Sequence, residues 1–390
     1  MHGRSQTGRL VWRTHPRVDE HIRRTGLTIV SHARVAPHGA AWLTKNRLAE
    51  IFGGLCDLGW RPRLVAREAP GADYLTSFVP PGVEVIPLRS SPQNRTFARE
   101  LLGFHALIRR SSHVLAFMPS LVGAFAVLVG GRRVIVYAGS AWELQERSRW
   151  RTWLERLVAR RAAGVVAHGE ALQALYRASG AQVQAAVPLV EAEVASLLAS
   201  REWAEKNAHG EALRVLFVGS ISHWKGVPTL LAALAAVSEP IEARFVGAAG
   251  DAESVAALVS FLETSESTSW LGYLDWPELR EIYRWADVLV LPSRSEGFPR
   301  VAYEATAFGA ALLVTPVGGI PHRLRDGRDA FFVSPDDEVV LAAALRRFAQ
   351  DRDLAPSLNR SARAAMAPLF ADETPAEQFD RLLLASEEER

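Results

Sequence analysis

Residues 287–309 read Asp287-Val-Leu-Val-Leu-Pro-Ser-Arg-Ser-Glu296-Gly-Phe-Pro-Arg-Val-Ala-Tyr-Glu304-Ala-Thr-Ala-Phe-Gly309, and an apolar run follows. Val288 to Leu291 has the length and composition of a buried strand, which Pro292-Ser293 ends. Glu296-Gly297-Phe298-Pro299 then forms a loop, and a proline at 299 suits the first turn of a helix. Such a helix start gathers unpaired backbone N–H groups and the positive end of the helix dipole. It therefore favours a phosphate over Gly297, Phe298, Pro299, Arg300 and Val301. Glu296 and Glu304 flank that point, the second lying about a turn into the helix and able to face back toward the same cleft. Carboxylates accept hydrogen bonds from sugar hydroxyls but repel phosphate. The glutamates are thus assigned to hydroxyls and the backbone to phosphate.

The pattern resembles the family-4 retaining glycosyltransferases of GT-B fold, whose Glu-x7-Glu signature stands here as Glu296 to Glu304, with Leu291-Pro-Ser293 before it and Gly309 after. The resemblance implies an α/β chain of two Rossmann-like parallel-sheet domains facing a central cleft. It also implies a nucleotide-diphosphate sugar as co-substrate, no cofactor and no metal. The implied reaction moves a hexose-type sugar to a glycan or glycolipid hydroxyl with retained anomeric configuration, in the setting of cell-envelope polysaccharide or glycolipid assembly. Glu296 and Lys225 take the catalytic roles by this resemblance.

Lys225 lies in Val218-Gly219-Ser220-Ile-Ser-His-Trp-Lys225-Gly226, a strand ending in glycine followed by a loop with one lysine. Glycine lets a ligand approach the backbone, and a lysine there neutralises a diphosphate as a point charge. The resembled family carries an arginine where Ser220 stands, which removes one of two cationic contacts and leaves His223 or Arg300 as substitutes. Trp270 to Leu279 resembles the strand and loop beside the nucleotide base, with backbone around Tyr273 and Leu274 at the base edge. Gly318-Gly-Ile-Pro-His322 matches a family turn that commonly ends in glutamate, and His322 reads as a tolerated variation. On the acceptor side, Gly39 and Ala40 sit in a loop, Val35 to Ala41, after the first strand. Gly139 follows the strand Arg133–Tyr137, where the family's histidine is absent.

At 390 residues the chain calls for two domains, and 48% hydrophobic and 23% charged residues are those of a globular protein. One cysteine, Cys56, excludes an internal disulfide framework. Residues 1–24 lack an apolar signal core and are expected to be a disordered tail. Residues 25–208 are assigned to the acceptor-side domain and 209–365 to the nucleotide-sugar domain. Residues 366–390 form a C-terminal helix and tail that, by the resemblance, crosses back to the first domain. A polar helix is expected from Ala192 to Ala208, a helix from about Leu43 to Leu58, and strands at Val165–Ala167 and Ser269–Leu274. Ser111 to Gly131 contains no Asp, Glu, Lys or Arg, yet Pro119-Ser120 divides it into a buried strand and a helix rather than a membrane span.

Two basic amphipathic segments stand out. Arg147, Arg149, Trp150, Arg151, Trp153 and Arg156 belong to one, with Trp150, Trp153, Leu154, Leu157 and Val158 expected on one helical face; Phe97 to Arg110 is the other. Both could lie on an anionic membrane surface or pack on the sheet. The expected location is cytoplasmic, at the inner face of the plasma membrane. With a net charge of +2 and no nucleic-acid module, no nucleic-acid partner is expected. Two rivals remain open. One is a nucleotide-sugar epimerase of the same fold. The other is a non-catalytic nucleotide-sugar-binding or partner subunit, supported by Ser220 and the missing histidine.

Overall fold

The computed structural model describes residues 26–69, 75, 77–89, 95–118, 120–139, 149–200 and 211–388. Arg147 and the expected N-terminal tail lie outside them. The first half runs β1 (Leu27–His38), β2 (Ala41–Thr44), α1 (Asn46–Asp57), β3 (Arg63–Glu68), β4 (Ser77–Phe78), β5 (Glu84–Leu88), α2 (Arg95–Arg110), β6 (His113–Met118) and α3 (Leu121–Gly130). It continues through β7 (Val134–Ala138), α4 (Arg149–Arg161), β8 (Gly164–Ala167), α5 (Glu170–Ala178), β9 (Val183–Ala185) and α6 (Ala192–Ala199). Strands β5, β3, β1, β6, β7, β8 and β9 pair in parallel in that order, while β2 and β4 extend the far end of β1 antiparallel.

The second half runs β10 (Leu213–Val218), α7 (Val227–Ala235), β11 (Ile241–Val246), α8 (Ala252–Thr264), β12 (Thr268–Trp270), α9 (Trp276–Trp285) and β13 (Val288–Leu291). It ends with α10 (Arg300–Ala307), β14 (Ala311–Val314), α11 (Ile320–Arg323), β15 (Phe331–Phe332), α12 (Glu338–Gln350), α13 (Leu354–Met366) and α14 (Pro375–Glu388). Its six strands form one parallel sheet in the order β12-β11-β10-β13-β14-β15. Helices cover both faces, so central strands such as Val-Leu-Val-Leu at 288–291 and Ala-Leu-Leu-Val at 311–314 are buried at every position. Asp251, Asp275 and Asp337 cap the helices they precede by accepting from the N–H three residues on.

The uncharged stretch after Ser111 divides into β6 and α3, and no helix among the described residues is long and apolar enough to cross a membrane. Three expectations need correction. Val35 to Ala41 is not a loop. β1 continues to His38 and turns through Gly39 (φ +60) and Ala40 into β2, with His38 edge-on to Phe78, and α1 starts only at Asn46. The expected strand Ser269–Leu274 is shorter: β12 stops at Trp270, where Gly272 takes φ +68.

The third correction concerns the boundary near residue 208. Helix α6 ends at Ala199, packs on α10, and buries Val194 and Leu198 in the second domain's core, while Glu193 pairs with Arg280 and Arg284 of α9. The chain thus crosses between domains at about residues 187–191. It returns after α13, for α14 packs on α1 and β6 and puts Phe379, Leu382 and Leu383 into the first domain's core. Trp60 Nε1 donates to Asp380 at 2.8 Å, and Gln378 binds the outgoing crossover by accepting from Val187 N–H and donating to the Ala185 carbonyl, both at 3.0 Å.

Phe379 fits edge-on to Phe117 and Tyr137. Phe379→Ala is expected to destabilise the first domain by about 3–5 kcal/mol, read as a lower urea midpoint.

Candidate functional site

In the second sheet the strand order reverses at β10, with β11 and β12 to one side and β13 onward to the other. Loops leaving the carboxyl ends of β10 and β13 diverge there and open a crevice. At its base the loops touch. Gly226, at φ +72, lies so close under the Pro292 carbonyl that any side chain would collide with it. A similar approach holds Gly247 (φ +142) against the Gly219 carbonyl, joining the ends of β10 and β11.

Above this base Lys225 Nζ lies 2.6 Å from Glu296 Oε1, and the Ser293 hydroxyl donates to the same oxygen at 2.8 Å. Both bonds fall on Oε1 of the carboxylate. The Glu296 side chain is 9% exposed and that of Lys225 31%, so the pair is screened from bulk water without being sealed. Helix α10 begins at Arg300, four residues after Glu296, with no side chain capping it. The loop is held from β14 as well: Thr315 Oγ1 donates to the Ser293 carbonyl and Gly319 N–H to the Gly297 carbonyl.

Glu304 is turned further inward than the sequence implies. It is 6% exposed and accepts a 2.6 Å hydrogen bond from the Tyr283 hydroxyl of α9, which ties the carboxylate into the core. Burial first, then the Glu304 charge and hydrogen bond, push the Tyr283 phenol well above its ordinary range. At the other end of α10, Asn359 Nδ2 donates to the Thr306 carbonyl of the last turn and to the Ala310 carbonyl just beyond it.

Among the remaining donor-side residues, Ser220 is exposed and its hydroxyl lies 3.1 Å from that of Ser222, so no cation occupies its position. His223 stands next to Lys225, its backbone N–H bound by Asp251. Asp251 is held below the usual carboxylate range by hydrogen bonds from the backbone N–H groups of Ser254 and His223. Arg300 and Val301 are the first two residues of α10, and Leu274 is half-buried. Tyr273, 53% exposed, follows Gly272, whose carbonyl accepts from Gly247 N–H.

The first sheet reverses order between β1 and β6, which places Gly39 and Ala40 beyond the carboxyl end of β1, at the exposed tip of the hairpin. Gly139 comes closer to the signature loop: a Cβ on Gly297 would stand 3.8 Å from its carbonyl oxygen. His322 reaches across to the first domain, with Nδ1 3.6 Å from Glu170. Sequence reasoning missed Ser293, Arg323 and His168. His168 ends β8 and meets Phe298 and Tyr303 of the second domain. The only signal for it was a histidine-glycine pair closing an apolar strand.

This arrangement of two parallel α/β domains with a loop-built crevice is the GT-B architecture. The structure superposes on sucrose-phosphate synthase from Thermosynechococcus elongatus with a TM-score of 0.72 at 19% identity, covering 94% of this chain and 100% of that one. It also superposes on Anabaena HepE solved with UDP and glucose, with a TM-score of 0.67 at 18% identity, covering 93% and 100%. Residues 44–189 match the glycosyl transferase 4-like domain, and residues 200–365 match the glycosyl transferases group 1 family. Each domain thus matches a glycosyltransferase family model, the group 1 model falling on the second domain. It is 34% identical over 178 residues to a D-inositol 3-phosphate glycosyltransferase of Streptomyces scabiei, covering 43% of this chain and 40% of that protein. It is 30% identical over 175 residues to a glycogen synthase of Mycobacterium tuberculosis, covering 44% and 42%. The matched region thus spans about 40% of these relatives' length.

Tyr283→Phe withdraws the donor from a buried carboxylate and is expected to destabilise the second domain by about 1–3 kcal/mol in urea unfolding. A loss below about 0.5 kcal/mol would show that Glu304 is hydrated rather than tied to the core.

Proposed function

We propose that this protein is a retaining, metal-independent glycosyltransferase that moves a hexose-type sugar from a nucleotide-diphosphate sugar to a glycan or glycolipid hydroxyl in cell-envelope assembly. The Lys225–Glu296 contact at the start of α10 carries the reading. It sets a cation and a helix N-terminus, suited to a diphosphate, beside a carboxylate oxygen suited to a sugar hydroxyl. The names of the sequence relatives and the UDP-glucose complex of HepE support the donor class.

In this reading the bond from the anomeric carbon to the phosphate oxygen breaks as the acceptor oxygen bonds the same face. The acceptor's proton passes to the departing phosphate. The protein contributes placement and charge. Lys225 and the first N–H groups of α10 meet the charge that grows on the leaving diphosphate, and Glu296 fixes the sugar. Because Ser220 supplies no charge, the load on Lys225 is heavy. That same serine favours the second reading, a non-catalytic subunit that binds nucleotide sugar without turning it over.

For the acceptor we infer a lipid-linked glycan reached from an anionic membrane at the cytoplasmic face. Helix α3 packs between α2 and α4, and Leu102 of α2 is exposed together with Trp150 (55%) and Trp153 (64%) of α4. Leu154 and Leu157 are half-buried and Val158 is fully buried, so the tryptophans do not share the core-facing side as the sequence suggested. Arg99, Arg109, Arg110, Arg156, Arg160 and Arg161 are exposed on the same two helices, and Arg149 and Arg151 lie on α4. Exposed tryptophan among arginine is the composition of a membrane-interface surface.

A thermal-shift screen with UDP, GDP, ADP, TDP and their sugar conjugates is expected to give stabilisation by one base family, lost in Lys225→Ala. Turnover of the matching sugar conjugate should fall about 10²–10³-fold in that variant, and the anomeric proton coupling of the product should match the donor's. Binding without turnover would select the non-catalytic reading, and binding by none would reject both. The pair Trp150→Ser and Trp153→Ser should reduce co-sedimentation with phosphatidylglycerol vesicles, and raised salt should weaken that of the wild type.

A further inference from the structure

Where the two domains meet, the ends of β7 and β8 face the signature loop and α10. His168 N–H donates to the Ala138 carbonyl, which fixes the histidine beside Gly139. Its ring is 7% exposed and lies edge-on to Phe298 and to Tyr303, at centroid distances of 6.5 and 6.1 Å. Both ring nitrogens are buried with no side-chain partner among the described residues, and only the Phe298 backbone is placed to favour a proton on the ring. The Arg323 guanidinium of α11 sits 5.5 Å over the Phe298 ring, and its Nε is likewise buried and unpartnered. Phe298 and Tyr303 stack on each other at 4.5 Å, so the imidazole presses on the segment that carries Glu296 on one side and opens α10 on the other.

We propose that His168 is a positioning residue, through which the first domain seats the Glu296–Pro299 loop as long as its ring is neutral. Among the described residues no carboxylate meets this ring to offset a charge. The groups facing it from the second domain are the Arg323 cation and the Tyr303 phenol, which burial holds above its ordinary range. On its own side Glu170, two residues further along the chain, pairs with His322 at the rim. Protonating His168 in place would bury a cation near the Arg323 cation, with only the Phe298 backbone to favour it. The ring therefore takes its proton by leaving the contact, and the loop loses its seat.

The sign follows from linkage. Burial, and then Arg323, lower His168 from an ordinary 6.5 to about 4, while the hydrogen bond with the Phe298 backbone acts in the other direction. The seated state binds fewer protons than the released one. Its stability is complete above pH of about 6.5 and falls as pH drops toward 4, by about 30-fold at pH 5. The His322–Glu170 pair lies at the rim of the same seam. Both side chains are about half exposed, which limits the pair to about fivefold. His168 prevails. Only the consequence for a bound donor depends on the glycosyltransferase reading; the seam itself does not.

The test is hydrogen exchange of the full chain without nucleotide, followed by mass spectrometry at pH 7.5 and pH 5.0 and corrected for intrinsic rates. Amides between Gly297 and Tyr303 of the wild type should lose protection by about 30-fold relative to those of α7, which lies away from the seam. His168→Phe and His168→Leu, each checked for native circular dichroism, should keep that protection at both pH values. His322→Ala should leave the wild-type pH dependence in place. The proposal is overturned by a wild type whose loop is equally protected at both pH values, or by a folded His168 variant that loses protection as the wild type does. Dependence that disappears in His322→Ala would overturn it too, because the rim pair would then be the sensor. Nucleotide binding is scored separately, so failure of the donor reading leaves this outcome interpretable.

Discussion

The parallel pairing of β10 with β13, in register at Val215 with Val288 and Leu216 with Leu289, is the constraint on which the site depends. These strands are separated by the whole β11–α9 segment, yet side by side in the sheet they deliver two loops to one crevice. The close fit of Gly226 under Pro292 converts that adjacency into contact, and only then do Lys225 and Glu296 come within 2.6 Å. Neither residue is placed by its own loop alone. Ser293, Thr315 and Gly319 hold the carboxylate's side, so a third strand, β14, also determines where the charge pair sits.

Helix α10 is built for the same purpose. Its start carries no side-chain cap, while its end is closed by the backbone N–H groups of Phe308 and Gly309 together with Asn359. A helix with one open terminus and one closed terminus presents its dipole to one ligand position. Glu304, buried midway and bonded to Tyr283, anchors the helix to α9 and keeps that open end from drifting.

The second domain was legible because its elements are local in sequence. A four-residue apolar strand, a proline-marked loop and a helix start lie within 287–307, and each obeys a short-range rule. The first domain was less so where tertiary partners override local signals. Pro37-His38-Gly39 reads as a loop until β4 and Phe78 are present to pair and stack with the hairpin. Helix α6 reads as part of the first domain because it precedes the polar stretch after residue 200, whereas its apolar face belongs to α10. The burial of Glu304 was invisible because its partner Tyr283 lies on another helix. His168 was passed over for the same reason: nothing within its own strand hints at Phe298, Tyr303 or Arg323.

The domains are joined by two strands of chain, the outgoing segment near 187–191 and the return between α13 and α14, and Gln378 bonds the return to the outgoing one. A single tether would act as a swivel, leaving one domain free to twist as well as tilt against the other. Two tethers clasped side by side behave as the pins of a door. They define one axis, suppress rotation about any other, and make the opening of the cleft a motion with a single degree of freedom. Every approach of His168 to Phe298, of Glu170 to His322 and of Gly139 to Gly297 is then a reading of the same angle.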